Sequence, residues 1–319
     1  MKNFCYISQW VLKAVLVLAG FPAQASSVAS TQPACIDEFW VISTRHIDEV
    51  PCYALPSQLE IHQLDCGKWR RRSTEEFSAS HAYPFATIFY VHGNRYTAQD
   101  AVERGWMIYR TLCSGNQARL PFRFVLWSWP SDRIPGALED VRVKAERTDL
   151  EGLYLGTVVS RMPPDALVSF HGYSFGTRVI SGALHLLAGG ALEGRRLAPE
   201  FLAPRTPVRA ALLAPAFHNT WLLPGALHAL ALTQVERMFV LYNPLDPVLR
   251  RYRLISPTSD PQALGATGLV GLDRLGPLAE RVHQYDVSAE AGRTHDERRY
   301  LNSSYFPQLR DYLLWRSSS

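Results

Sequence analysis

The segment with the clearest chemical potential is Gly172-Tyr173-Ser174-Phe175-Gly176. The pattern G-x-S-x-G makes a strand-to-helix turn so tight that its serine is thrust out at the carboxyl edge of a sheet. Glycines two before and two after leave room for neighbouring backbone, where a Cβ would collide. Taken alone the pentapeptide is a weak signal, since a Gly-rich turn with an incidental serine reads the same. Its context is stronger: the apolar run 166–170 (ALVSF) precedes it. Val179, Ala183 and Leu187 then follow at helical spacing until Gly189-Gly190.

A serine hydroxyl becomes a nucleophile when a base takes its proton and a carboxylate orients that base. In folds built around this turn the chain order is serine, acid, histidine. The loop after the run 208–213 reads Ala214-Pro215-Ala216-Phe217-His218-Asn219 and holds no carboxylate. The loop after the run 238–242 reads Asn243-Pro244-Leu245-Asp246-Pro247, so Asp246 is the acid candidate. Its bland alternative is a turn or helix-cap aspartate before proline; Asp260 and Asp273 are runners-up, farther from a strand end. His295 is the only histidine beyond the last strand, 282–287, and is the candidate base rather than a plain surface histidine. His283 falls inside that strand, and His218 and His228 precede the acid. An oxyanion needs two main-chain N–H donors. They are expected from Phe175, next after the serine, and from Asn94 in the turn His92-Gly93-Asn94-Arg95. That turn carries no GxGxxG or Walker pattern that would suggest a phosphate instead.

These residues must be gathered by a sheet. Apolar runs at 39–43, 59–64, 85–91, 122–127, 166–170, 208–213, 238–242 and 282–287 predict eight strands. Most lack polar alternation, as parallel strands covered on both faces do. Thr97 with Asp100 predicts a capped helix whose stripe is Val102, Trp106, Tyr109 and Cys113. Strands alternating with helical crossovers, with no internal repeat and no Pro/Gly/Ser linker, predict one doubly wound, mostly parallel α/β domain. Residues 219–234 have room for one extra helix, so no large cap domain is expected.

Composition is globular, with 47% hydrophobic and 19% charged residues in 319. A net charge of +4 gives no reason to expect nucleic acid as a partner. The one basic run, Lys68-Trp69-Arg70-Arg71-Arg72, reads as a solvated strand end. Lys2, the apolar stretch 14–21 and Ala23-Gln24-Ala25 form a signal-peptide pattern over residues 1–25. Its apolar part is short for a membrane span. An exported protein, periplasmic or secreted, is therefore expected, an uncleaved N-terminal anchor being the alternative. Beyond the leader lie a Cys-containing segment, 26–82, with the first two strands, and the core, 83–319, forming one domain with it. Loss of Cys5 with the leader leaves Cys35, Cys52, Cys66 and Cys113, an even set that suggests two disulfides in an exported chain. No metal-binding spacing occurs, and no cofactor is expected.

Several segments together carry a resemblance. They are Val41-Ile42-Ser43-Thr44-Arg45, Phe89-Tyr90-Val91-His92-Gly93-Asn94 with Ala101, Trp127-Ser128-Trp129-Pro130-Ser131, the elbow 172–176, Leu241-Tyr242-Asn243-Pro244-Leu245-Asp246, and Thr294-His295. Most of the mature chain thereby resembles a bacterial α/β-hydrolase family grouped as domain of unknown function nine hundred and described as esterase- or lipase-like. Two departures stand out. The elbow reads GYSFG where the family usually has a His-Ser-Met core, and Ala216-Phe217-His218 lacks the aspartates often found there. The resemblance implies an α/β-hydrolase fold and serine-hydrolase machinery without naming a substrate. A small ester or acyl compound is the expected partner, with Tyr173 and Trp129 lining an apolar acyl pocket. Amide or peptide hydrolysis on the same machinery, and a non-catalytic envelope protein with a hydrolase shell, are the competing readings.

Overall fold

The computed structural model of the chain describes residues 37–51, 54–79, 86–114, 120–202, 205–255 and 261–315. The leader and Cys5, Cys35 and Cys52 lie outside the described residues. Among the described residues nine strands form one sheet: β1 (Glu38–Ser43), β2 (Glu60–Asp65), β3 (Lys68–Arg72), β4 (Ala86–Val91), β5 (Phe122–Ser128), β6 (Val168–Tyr173), β7 (Val208–Leu213), β8 (Val235–Tyr242) and β9 (Val282–Asp286). Their spatial order is β3-β2-β1-β5-β4-β6-β7-β8-β9. Only β2 runs against the rest, since it pairs antiparallel with both β1 and β3.

The strand beyond the eight expected is β3, the basic run. Its charged residues give no alternating apolar signal, and on the outer edge they need none. Charge there leaves the open edge unattractive to another strand. By contrast β4, β5 and β6 are buried along their whole length. A layer of helices lies on each face. On β5, Leu126 meets Gly105 of helix α1 (Ala98–Cys113), while the next residue, Trp127, bonds Glu151 of helix α2 (Ala137–Ser160). Consecutive strand residues point to opposite faces, so α1 and α2 cover opposite sides. Helix α3 (Phe175–Leu187) packs on α2, and Glu151 also accepts from Thr44, tying that layer to the end of β1. Topology and layering are those of an α/β-hydrolase fold. The chain between β7 and β8 is made of turns and a short 3-10 helix, Ala231–Gln234.

Two expectations are corrected. The capped helix starts at Thr97 with both bonds of the capping box, but its buried stripe is Ala101, Gly105, Ile108 and Leu112. The expected stripe is displaced one position around the helix and is half-buried, because the small residues Ala101 and Gly105 let the helix approach the sheet more closely than Trp106 and Tyr109 would. Nor are the expected disulfides found among the described residues. Cys66 (φ 48°) and Gly67 (φ 77°) form the two-residue turn joining β2 to β3, and the Cys66 thiol is free and exposed at its tip.

The strand order decides where a site forms. From β4 the chain steps to β5 on one side; β6 lies on the other side of β4 and leads away to β7. This reversal opens a crevice at the carboxyl ends of β4 and β6. The turn His92-Gly93-Asn94 and Ser174 are the residues that follow those two ends.

Candidate active site

Ser174 sits between β6 and α3 with φ 52° and ψ −121°, a conformation that L residues rarely adopt. Such a residue costs about 1–3 kcal/mol unless its surroundings hold it. Here its N–H donates to Leu213 O of β7 at 3.0 Å, and its carbonyl accepts from Thr177 N at 3.1 Å and Ala216 N at 3.3 Å. The flanking glycines are sterically required. A Cβ on Gly176 would lie 2.0 Å from Val91 O, and one on Gly172 would lie 2.6 Å from Ile180 Cδ1. The start of α3 thus presses directly on the end of β4.

The structure brings His295 and Asp246 to this serine. His295 Nε2 is 3.0 Å from Ser174 Oγ, and His295 Nδ1 is 2.6 Å from Asp246 Oδ2. A carboxylate only accepts, so Nδ1 carries the proton and Nε2 is free to accept from the serine hydroxyl. Asp246 is wholly buried and fully engaged. Oδ1 accepts from Val248 N at 2.9 Å and Leu249 N at 3.1 Å, and Oδ2 also accepts from Tyr300 OH at 2.9 Å. Four donors on one buried carboxylate offset the loss of water around it.

Two residues outside the sequence expectations hold the histidine loop. Asn243 Nδ2 donates to Gly292 O at 2.8 Å, while its Oδ1 accepts from Leu245 N at 2.9 Å. One amide therefore joins the acid loop to the histidine loop. Tyr300 lies on helix α4 (Glu297–Leu301), which begins two residues after His295. Burial and then the Asp246 charge push its phenol well above the ordinary range, so it remains a donor. At the start of the same helix, buried Glu297 accepts from Tyr90 OH of β4 at 3.0 Å. A polar pair at Asn243 and Asp246 beyond a strand end was a sequence signal for the first residue; nothing in the sequence marked Tyr300.

The predicted oxyanion donors lie beside the elbow. A Cβ on Gly93 would come within 3.2 Å of Ser174 Cβ, which puts the turn after β4 against the serine. Among the described residues, no acceptor takes the main-chain N–H of Asn94 or of Phe175. The Asn94 side chain donates to Asp140 Oδ2 at 3.3 Å, fixing the turn from below. His92 anchors it as well: its ring accepts from Trp129 N at 3.3 Å and lies 3.4 Å from an Arg45 nitrogen. Burial and then the Arg45 charge hold the His92 pKa well below its ordinary value, so the ring is neutral.

Tyr173 and Trp129 part company. Tyr173 lines a cavity of about 460 Å³ beside Ser174, together with Asn94, Phe175 and His295. Its hydroxyl donates to the carbonyl of His295. Trp129 is not a wall of that cavity. It is wholly buried, stacked on His92 with centroids 5.7 Å apart, and its indole N–H donates to His92 O at 2.8 Å. A strand-edge tryptophan followed by proline looks like a pocket residue in sequence; here its N–H finds a buried acceptor and the ring supports the turn.

No protein-family model matches the chain, and no curated protein matches it. Among solved structures it is similar to esterase B of Lactobacillus rhamnosis. In a form inhibited with a tributyrin phosphonate, identity is 12% and the TM-score 0.35, over 95% of this chain and 89% of that one. A second inhibited form gives 13% and 0.35, over 95% and 90%. A likeness this distant says nothing of what the chain acts upon.

Proposed function

We propose that the protein is a serine hydrolase acting on carboxylic esters through an acyl-enzyme. The observation that carries this reading is the continuous bond path Ser174 Oγ to His295 Nε2 to Asp246, anchored on a strained serine. As Ser174 Oγ bonds to the ester carbon, its proton passes to His295 Nε2, and Asp246 stabilises the imidazolium. The carbonyl oxygen takes up the negative charge and is held by the N–H groups of Asn94 and Phe175. His295 then returns the proton to the departing alkoxide, leaving an ester on Ser174. Water attacks that ester by the same sequence, giving the acid and the free serine. Every group used belongs to the chain itself.

The test is covalent labelling with a fluorophosphonate probe beside hydrolysis of short 4-nitrophenyl esters. Wild-type protein should be labelled and active, and Ser174→Ala should lose both. Labelling that survives Ser174→Ala would remove Ser174 as nucleophile. A matched amide panel separates esterase from amidase activity. Membership of the domain-of-unknown-function family belongs to this reading too, resting on the elbow, W-P-S, acid-loop and histidine segments together. So does export after cleavage near Ala25, checked by N-terminal sequencing of protein recovered from the envelope or medium.

A further inference from the structure

The cavity beside Ser174 is chemically lopsided. Its outer walls are aliphatic, from Leu138 and Val141 of α2 on one side to Val248 and Leu254 on the other. Three of these are unusually open for their type: Leu138 is 41%, Val248 50% and Leu254 53% exposed. Two arginines, Arg95 and Arg251, also line the cavity, and among the described residues no Asp or Glu does.

The two arginines are not equivalent. Arg95 Nε lies 2.8 Å from Asp140 Oδ2, so its charge is already matched. Arg251 is exposed, and among the described residues its side chain makes no ion pair or hydrogen bond. It therefore does nothing for the fold that another polar residue would not do. Its neighbours Arg250 and Arg253 are exposed on the same 3-10 segment, Leu249–Ile255, but do not line the cavity. Apolar walls beside an unmatched guanidinium suit a molecule with one greasy and one negatively charged end. A planar fork of donors is also the side chain best shaped for carboxylate or phosphate.

We propose that the substrate is an amphiphilic ester, with an aliphatic chain laid between Leu138 and Val248 and an anionic group, carboxylate or phosphate, held by Arg251. This rests on the serine-hydrolase reading of the site. It is tested with ester pairs matched in length. One pair is 4-nitrophenyl hexanoate against mono-4-nitrophenyl adipate, charged at the acyl end. The other is phenyl hexanoate against the hexanoyl ester of 4-hydroxybenzoate, charged on the leaving group. At low salt, kcat/KM for at least one charged ester should exceed its neutral partner by roughly tenfold, and the gap should narrow as salt screens the exposed charge. Arg251→Gln should bring that ratio close to one and Arg251→Lys should keep most of it. Arg253→Gln, which lies off the cavity, should leave it unchanged. Equal turnover of charged and neutral esters, or a ratio that survives Arg251→Gln, overturns the proposal. If the fluorophosphonate probe labels Ser174 and the preference is absent, only the substrate class falls. If the probe fails to label, the hydrolase reading falls first and takes this proposal with it.

Discussion

The two halves of the site are held in place by different kinds of force. On the serine side, position is set by steric necessity within a few residues: a strained Ser174, flanked by glycines whose hydrogens already touch β4 and α3. On the histidine side there is no such wedge: local bonds such as Thr294 N to Gly292 O and Asp296 N to Thr294 Oγ1 shape the turn, and contacts from other elements place it. His295 sits in a loop fixed from outside, by Asn243 across to Gly292, by Tyr300 onto Asp246, and by Tyr173 onto the His295 carbonyl. A nucleophile must be presented rigidly, whereas the base that serves it must donate and accept in turn, so a hinge of replaceable hydrogen bonds suits it better than a wedge of backbone.

The sharpest way to break this contrast is Gly176→Ala. The added methyl would sit 2.0 Å from a main-chain oxygen that cannot rotate away. A loss of about 3 kcal/mol or more in urea unfolding is expected, together with all probe labelling; normal stability with normal labelling would refute the steric account. Next in size is Asp246→Asn, which permits the wrong tautomer of His295. It should lower kcat on the order of 10³- to 10⁴-fold while the fold persists, as read by steady-state kinetics beside thermal melts. Asn243→Ala should cost about 1–2 kcal/mol and lower kcat more than it raises KM, because the histidine loop loses its tether. Equal effects on both constants would show that the tether serves binding instead. Tyr300→Phe removes one of four donors to Asp246 and should reduce kcat about tenfold. The acid limb of its pH–rate profile should keep its shape, since a phenol pushed upward by burial does not titrate there.

The smallest effect concerns acid. His92 at the start of the turn after β4 is neutral in the folded chain, whereas an unfolded chain takes up that proton near pH 6.5. The unfolded state then binds more protons below that pH, so this contribution is complete above about pH 6.5 and is lost as pH falls. Melting temperatures should decline from pH 7 to pH 5, and His92→Gln should flatten that decline. An unchanged slope would mean that other buried groups carry it.

Legibility in the sequence follows the same division. The serine was readable because a tight turn has a local code of glycines. Asp246 and His295 were reachable because strand ends are marked by apolar runs and because chain order limits the choice. Tyr300 was not, since its meaning lies in a contact 54 residues away along the chain. Trp129 misled for a related reason: an indole at a strand end looks alike whether its N–H meets solvent or the carbonyl of His92. The edge strand β3 was hidden because its pattern answers to solvent rather than to a core. Cys66 shows how little a cysteine count says about placement, for a hairpin tip holds its sulfur away from the body of the sheet.

One feature of the elbow reaches beyond the serine. Tyr173, the first variable position of the pentapeptide, packs its ring against Gly93 and sends its hydroxyl to the loop of His295. The turn 92–94, Ser174 and the loop of His295 thereby share one aromatic side chain. A substitution at that position disturbs all of these contacts together, whereas the outer aliphatic walls of the cavity, Leu138 and Val248, carry none of them.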